Sequence, residues 1–157
     1  MIDAALRLEV ADLYDAYVTA LDDGDLDAWC AFFTEDAFYE VIPRENFDRG
    51  LPLATLRCES RGMLRDRVLA IRNTQLYGPR YLRHLVSSVR VESTEGGVIR
   101  SRANYCVLQT LLDEETKVFQ SGRYVDVLVR EEGRLSFRER HCVFDTTVVS
   151  NSLIYPV

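Results

Sequence analysis

Five polar side chains could carry acid–base chemistry if the fold brought them into one pocket. They are Tyr14, Tyr105, Glu139, His141 and Asp145. Glu139, His141 and Asp145 share one parity in a predicted last strand, so they are expected on one face of it. Carboxylates, an imidazole and phenols in one cavity suit general acid–base catalysis, such as isomerisation or dehydration of an enolisable substrate. The alternative is a satisfied polar network near the rim or across a subunit boundary, because parity can slip at a bulge.

The chain is poor in metal ligands. It has two histidines, His84 and His141, and four widely spaced cysteines without a CxxC pair. A Rieske cluster needs two His and two Cys in paired motifs, and a facial iron triad needs two further His. No Gly-rich nucleotide motif and no GxSxG motif occurs either. We therefore expect no metal and no cofactor in this chain, and reduced, buried thiols.

The charge and composition of the chain limit its partners and its location. Lys and Arg number 19 against 25 Asp and Glu, which gives a net charge of -6. An acidic chain disfavours nucleic acid as a partner, because phosphate binding needs a basic surface. We see no signal peptide and no membrane span in the sequence, and expect a cytoplasmic protein. The length of 157 residues predicts a single domain over residues 1–157.

Three segments without evident catalytic use are rich in Arg, Tyr and apolar residues, as interfaces are. They are the Arg44–Thr55 loop, the Arg80–Arg83 patch and the Asn151–Val157 tail, which would dock on its own domain or on a partner. His84 has the parity opposite to Leu85 and is therefore expected to face away from the core. The alternative to an interface at the neighbouring Arg80–Arg83 patch is a strand edge exposed to solvent. The predicted subunit-interface residues are Arg44, Arg49, Arg80, Tyr81, Arg83, His84, Leu153 and Tyr155.

The elements that must position these residues can be read from apolar spacing. Three helices are predicted. The first covers Asp3–Asp22, the second is short and begins after a cap at Asp25, and the third covers Ser60–Tyr77. The strand Phe38–Ile42 precedes a long loop from Arg44 to Glu59. The four antiparallel strands predicted next are His84–Glu92, Val98–Leu112, Lys117–Arg130 and Arg134–Val149. Such a sheet must curl around the three N-terminal helices to cover its apolar face, which predicts an α+β cone of the cystatin-like type.

Four segments carry a family resemblance that spans nearly the whole chain. They are Trp29–Asp36, Tyr81–Val91, Gly122–Asp126 and Arg138–Asp145. In this order they resemble the β (small) subunit of aromatic-ring-hydroxylating oxygenases, the Rieske non-haem iron enzymes of bacterial aromatic degradation. The stretch Pro43–Leu56 and the tail look closest to small subunits of salicylate 5-hydroxylase.

The resemblance implies the cone fold of ketosteroid isomerase and scytalone dehydratase (NTF2-like) and a non-catalytic assembly role. A partner α subunit would hold the Rieske [2Fe-2S] cluster, the mononuclear Fe(II) and the substrate pocket. Three α and three β chains would assemble, and a ferredoxin or reductase would supply electrons to them. The reaction implied is hydroxylation of a salicylate- or benzoate-like aromatic acid.

Two alternatives remain at this point. One is a stand-alone acid–base enzyme of the ketosteroid isomerase or polyketide cyclase kind, and the other is a small-molecule binding module. A filled cone would favour the assembly subunit, whereas an open pocket with an acid and a base at its floor would favour an enzyme.

Overall fold

Four helices and six strands are formed by the residues that the structure, a computed structural model, describes: 2–73, 78–146 and 153–157. The helices are α1 (Ala4–Asp22), α2 (Leu26–Ala31), α3 (Arg44–Asp48) and α4 (Arg61–Asn73). The strands are β1 (Phe33–Pro43), β2 (Leu56–Cys58), β3 (Arg80–Glu95), β4 (Val98–Leu111), β5 (Lys117–Glu131) and β6 (Arg134–Phe144).

Aspartates cap the first two helices, and the cap at Asp25 is the one that the sequence predicts. The Asp3 carboxylate accepts from the Ala5 amide at 3.3 Å, and the Asp25 carboxylate accepts from the Ala28 amide at 3.0 Å. Each bond satisfies an amide that the first turn of a helix leaves unpaired. Gly24, with a φ of 74°, makes the turn between the two helices.

The six strands of the described sheet lie in the order β2-β1-β6-β5-β4-β3. Every neighbouring pair is antiparallel except β1 and β6, which run parallel. Helix α1 packs against this sheet, and its buried stripe includes Val10, Tyr14, Tyr17 and Leu21. The predicted fold class, a curved and mostly antiparallel sheet over N-terminal helices, is confirmed.

An aromatic cluster forms the part of the core between the helices and the sheet. The ring centroids of Trp29 lie 5.5 Å from Phe33 and 5.4 Å from Tyr39, both edge to face. Tyr17 meets Phe137 in the same geometry at 5.3 Å. Such pairs contribute about 0.5–1.5 kcal/mol each beyond the area that they bury. The cluster therefore ties α1, α2, β1 and β6 into one unit.

The prediction of a structureless loop from Arg44 to Glu59 is wrong. This segment contains the short helix α3 and the strand β2, which pairs antiparallel with β1. Gly50 and Pro52 misled the prediction, since they occupy only the turn between the two elements. The Asn46 side chain closes that turn by donating to the Leu53 carbonyl at 2.8 Å.

Several predicted boundaries also shift. Strand β1 starts at Phe33, five residues before the predicted start at Phe38. Helix α4 is described to Asn73, and the rest of the predicted helix lies outside the described residues. Strand β6 ends at Phe144, and the predicted strand residues 147–149 are likewise outside them.

The expectation that His84 faces away from the core is wrong as well. Its side chain is fully buried, and Nδ1 lies 2.7 Å from the Asp22 carboxylate, which also accepts from the His84 amide at 3.0 Å. The cause is a bulge at Ser88, whose φ is 55° and where the β3–β4 register shifts. A bulge inserts one residue, so parity read through it assigns the wrong face.

The described part of the tail docks on its own domain, which is one of the two predicted alternatives. Ile154 and Val157 are buried, and Leu153 and Tyr155 are half-buried against the core. The Val157 oxygen accepts from Tyr17 Oη at 2.8 Å and from Tyr39 Oη at 3.1 Å. These bonds fix Val157 beside the aromatic cluster.

The close approach of β5 and β6 at Gly122 generates a first testable prediction. A Cβ at this position would overlap the Val143 carbonyl, which is backbone and cannot move aside cheaply. We expect Gly122→Ala to lower the free energy of unfolding by about 1–3 kcal/mol or more. Urea unfolding measures the change. The control is Gly62→Ala in α4, where the nearest atom is 3.5 Å away and a stabilisation of up to about 1 kcal/mol is expected. Equal stability of Gly122→Ala and wild type would contradict the close approach.

Candidate functional site

The structure divides the five predicted acid–base residues between the two sides of the sheet. Tyr14 and Tyr105 are buried inside the cone, as the sequence predicts. Glu139, His141 and Asp145 lie on the opposite side, where Asp145 forms an ion pair with Arg44 at 2.9 Å. The predicted pocket is therefore not formed.

A bulge in β6 explains this separation. Phe137 pairs with Leu128 and Glu139 pairs with Val127, so Arg138 is left without a partner between them. Beyond this bulge the parity of the strand reverses, which turns Arg140 and Cys142 inward and both Glu139 and His141 outward. Because of this inserted residue, the interior side of β6 presents the guanidinium of Arg140 where the sequence predicted acids and bases.

Arg140 occupies the centre of the cone and is fully buried. Its Nε and Nη2 donate to the two oxygens of Asp126 at 2.9 and 2.8 Å, which is a bidentate arrangement. Four aromatic rings surround the guanidinium carbon, with centroid distances between 3.9 and 4.7 Å, and they belong to Tyr14, Tyr17, Tyr124 and Phe137. Cation–π contacts of desolvated cations contribute about 2 kcal/mol or more. Ion pair and rings together fill the interior.

The two tyrosines of the predicted site are engaged in bonds inside this filled interior. Tyr14 Oη donates to Asp126 and lies 3.2 Å from Ser101 Oγ. Tyr105 Oη donates to the Gln120 side chain at 2.6 Å. Burial raises the pKa of Tyr14 well above its ordinary value, and the Asp126 charge raises it further. Burial likewise raises the pKa of Tyr105. Both phenols therefore stay protonated and act as structural donors, as in the alternative of a satisfied network.

His141 belongs to a separate polar cluster on the outer side of β1 and β6. Its Nδ1 lies 2.6 Å from Glu40, and its Nε2 lies 3.5 Å from Glu139. Glu40 also accepts from Arg57 on β2 at 3.2 Å. Phe47 of α3 covers the imidazole, with ring centroids 5.5 Å apart. Both ring nitrogens of His141 are thus occupied, and the cluster links β6 to β1 and β2.

The charges in this cluster stabilise one another. Burial lowers the pKa of His141, but the hydrogen bond and charge of Glu40, with Glu139, outweigh it and raise the pKa above its ordinary value. Burial raises the pKa of Glu40, but His141 and Arg57 outweigh it and lower the pKa. An imidazole whose two nitrogens both lie against carboxylates serves structure, since it has no free nitrogen to accept a substrate proton.

Sequence reasoning missed the two residues at the centre of the cone, Arg140 and Asp126. Asp126 shares its strand parity with Tyr124, on a strand otherwise rich in Val and Leu. A lone carboxylate on an apolar strand face needs a cationic partner. The sequence therefore already indicated that Asp126 would be paired with a buried cation. Arg140 could not be paired with it, because the bulge at Arg138 leaves no mark in the sequence.

Other features of the described residues bear on cofactors and membranes. Within residues 2–73, 78–146 and 153–157, no group of three or more His, Cys, Asp or Glu side chains is placed to hold a metal ion. No helix of these same ranges is long and apolar enough to cross a membrane.

Helices enclosed by a curved sheet, with an interior filled by side chains, define a protein of the cystatin-like (NTF2-like) cone class. The family model described as "Ring hydroxylating beta subunit" matches residues 16–151. The chain therefore belongs to the family of ring-hydroxylating β subunits, as the sequence resemblance predicts.

Individual relatives agree with this assignment. The anthranilate 1,2-dioxygenase small subunit of Burkholderia cepacia is 36% identical over 155 residues, which are 99% of this chain and 96% of that protein. The β subunit of a proposed aromatic-ring-hydroxylating dioxygenase from Novosphingobium aromaticivorans superimposes with a TM-score of 0.89 at 36% identity, covering 98% and 97% of the two chains. A protein of the same organism proposed to be a scytalone dehydratase shares the fold alone, with a TM-score of 0.74 at 15% identity and coverage of 96% and 91%.

The buried ion pair generates a second testable prediction. Arg140→Met leaves Asp126 charged and buried without its cation, and we expect a loss of about 3–5 kcal/mol in the free energy of unfolding. The double variant Arg140→Met/Asp126→Leu removes both charges and should recover most of that loss. Urea unfolding of the single and double variants measures both effects. A double variant no more stable than Arg140→Met would show that the uncompensated charge is not the cause.

A third prediction concerns the pH dependence of stability and uses His141→Gln. The His141 contribution is complete below its unfolded pKa near 6.5 and is lost as the pH rises through the higher folded value. The Glu40 contribution is complete above its unfolded pKa near 4.5 and is lost as the pH falls through the lower folded value. Wild type should therefore exceed His141→Gln most clearly between these two values in urea unfolding. A difference that stays constant on both sides of this window would mean that the two charges do not interact.

Proposed function

We propose that this chain is the non-catalytic β subunit that assembles with a catalytic α subunit into an aromatic-ring-hydroxylating oxygenase. The observation that carries the proposal is the occupied cone. Arg140, its carboxylate partner and four aromatic rings fill the space in which an enzyme of this fold class would hold its substrate. The family match over residues 16–151 supports the same conclusion independently.

The chemistry of the complex belongs, in this proposal, to the α subunit. That subunit would contain the Rieske [2Fe-2S] cluster and the mononuclear Fe(II), and it would receive electrons from a ferredoxin or reductase. The substrate proposed is an aromatic acid of the salicylate or benzoate type. The sequence resemblance to salicylate 5-hydroxylase supports this class, and so does the anthranilate relative, since anthranilate is also an aromatic acid. The four cysteines are free thiols, which fits a cytoplasmic complex.

The exposed members of the predicted interface set are the proposed contacts with other subunits. Tyr81 is 81% exposed, and the Arg83, Arg49 and Arg44 side chains are 69%, 66% and 52% exposed. Arg80, Leu153 and Tyr155 are half-buried and would contribute from the rim. His84 is excluded because its side chain is buried and bonded to Asp22. An assembly of three α and three β chains needs more than one such contact surface on each β chain.

Co-expression with a candidate α chain, one that carries the paired His and Cys motifs of a Rieske cluster, gives a fourth prediction. We expect a stable complex in which iron and the visible absorption band come with the α chain. The β chain purified alone should contain no stoichiometric iron or zinc and convert neither an aromatic acid nor an enolisable ketone. Metal analysis, absorption spectroscopy and product assays on both preparations test this. Turnover by the isolated β chain that disappears in His141→Ala or Asp145→Asn would overturn the proposal in favour of an acid–base enzyme.

A further inference from the structure

A cationic groove crosses the outer face of strands β3, β4 and β5. It has a volume of about 580 Å³, and its charged lining consists of Arg44, Arg90, Arg102, Arg123 and Asp145. The concentration of four arginines at one place is unexpected in a chain with a net charge of -6. Surfaces of this kind recognise acidic partners.

The arginines in the groove are incompletely neutralised by the chain itself. Among the ion pairs of the described residues, Arg44 has Asp145 at 2.9 Å, Arg102 has Glu92 at 2.9 Å and Arg123 has Asp48 at 2.8 Å. Arg90 has no carboxylate partner among them. All three pairs lie near the surface, where such pairs are weak and exchange readily with an incoming carboxylate.

Two features indicate that the groove is built to meet an anion. Arg90 and Arg102 are directly opposite each other on β3 and β4, and both are exposed on the same face. Like charges in this position repel, and Glu92 neutralises only Arg102, so a further anion between the two strands would stabilise Arg90. Ser88, two residues before Arg90, has a φ of 55°, a strained conformation for a residue other than glycine. The bulge at Ser88 sets the face on which Arg90 lies.

The same sheet face continues into apolar side chains. Tyr81, Leu85 and Val118 are 81%, 53% and 64% exposed. They lie on β3 and β5, at the end of the sheet face away from the arginines of the groove. Arginine and tyrosine beside exposed aliphatic side chains match the composition of protein interfaces. An open sheet face with apolar and cationic parts suits a folded protein partner better than a small anion.

The chain carries the complementary surface on its first helix. Asp12, Asp15 and Asp23 are exposed along α1 and its C-terminal cap, and no ion pair of the described residues involves them. Between Asp3 and Asp27 the sequence has eight carboxylates and one cation, Arg7. We call the three exposed aspartates the acidic ridge. This ridge and the groove occupy different surfaces of the molecule, so one copy can offer the ridge while the next offers the groove.

We propose that the groove of one β chain binds the acidic ridge of the next β chain. Such a contact joins unlike surfaces, and contacts of this kind close into rings when the rotation allows. The proposal rests on the proposed function, because a ring of β chains is expected within a particle of three α and three β chains. It adds which two surfaces of the β chain meet there.

Reversing charges on both surfaces tests this contact in the co-expressed α–β complex. The groove variant is Arg90→Glu/Arg102→Glu, and the ridge variant is Asp12→Arg/Asp15→Arg. Each should increase the fraction of particles smaller than the wild-type complex at least about tenfold in light scattering after size exclusion, and added salt should do the same to wild type. The variant with all four changes should regain the wild-type size, because the reversed charges again match between neighbouring copies.

The control reverses two exposed arginines of α4, outside both the groove and the acidic ridge, Arg65→Glu/Arg72→Glu, and should keep the wild-type size. Circular dichroism identifies any variant that has lost its fold, and recovery in the fourfold variant is a second readout that loss of folding cannot imitate. Disruption by the groove variant without recovery in the fourfold variant would assign the groove to the α chain and overturn the proposal. An unchanged particle in both single-surface variants would overturn it as well. Failure of wild-type β to bind α at all would instead contradict the proposed function.

Discussion

The ion pair between Arg140 and Asp126 is the interaction on which the rest of the structure depends. Removing both charges from water costs several kcal/mol for each ion, and the attraction offsets this only with good geometry and additional hydrogen bonds. The bidentate geometry, the Tyr14 hydroxyl and four aromatic faces supply that environment. These groups come from α1, β5 and β6, so the pair requires the helix to pack on the sheet. Side chains of the described residues thereby occupy the centre of the cone.

Two bulges determine which chemical groups face which side. The bulge at Arg138 directs Arg140 into the core and sends His141 to the cluster with Glu40. The bulge at Ser88 buries His84 against Asp22 and places Arg90 outside. The two bulges therefore determine both which polar side chains are buried in the interior and which are exposed on the outer face. One consequence is that the polar interior stabilises the fold, while the groove arginines lie on the outer face.

The sequence predicts the elements better than the faces of the long strands. Helix α1 and the inward positions of Tyr14 and Tyr105 follow from regular periodicity and are confirmed. Glu139 and His141 were assigned to the interior because a bulge depends on pairing with the neighbouring strand, which one strand's composition does not record. The short elements α3 and β2 were missed for a related reason, since β2 has three residues and forms only by pairing with β1. Family membership could be predicted because it depends on the order of residues along the chain. It does not depend on which face of the sheet each residue occupies.

The central claim is that Arg140 closes the cone interior to ligands, and the most direct measurement is nuclear magnetic resonance of its Nε–H in the purified chain. A guanidinium that is bonded to Asp126 and enclosed by aromatic rings should exchange slowly with water and show a ring-shifted resonance. We expect this resonance not to move when a benzoate- or salicylate-type acid is added. Rapid exchange together with a saturable shift on adding the acid would show an open pocket at Arg140 and contradict the account.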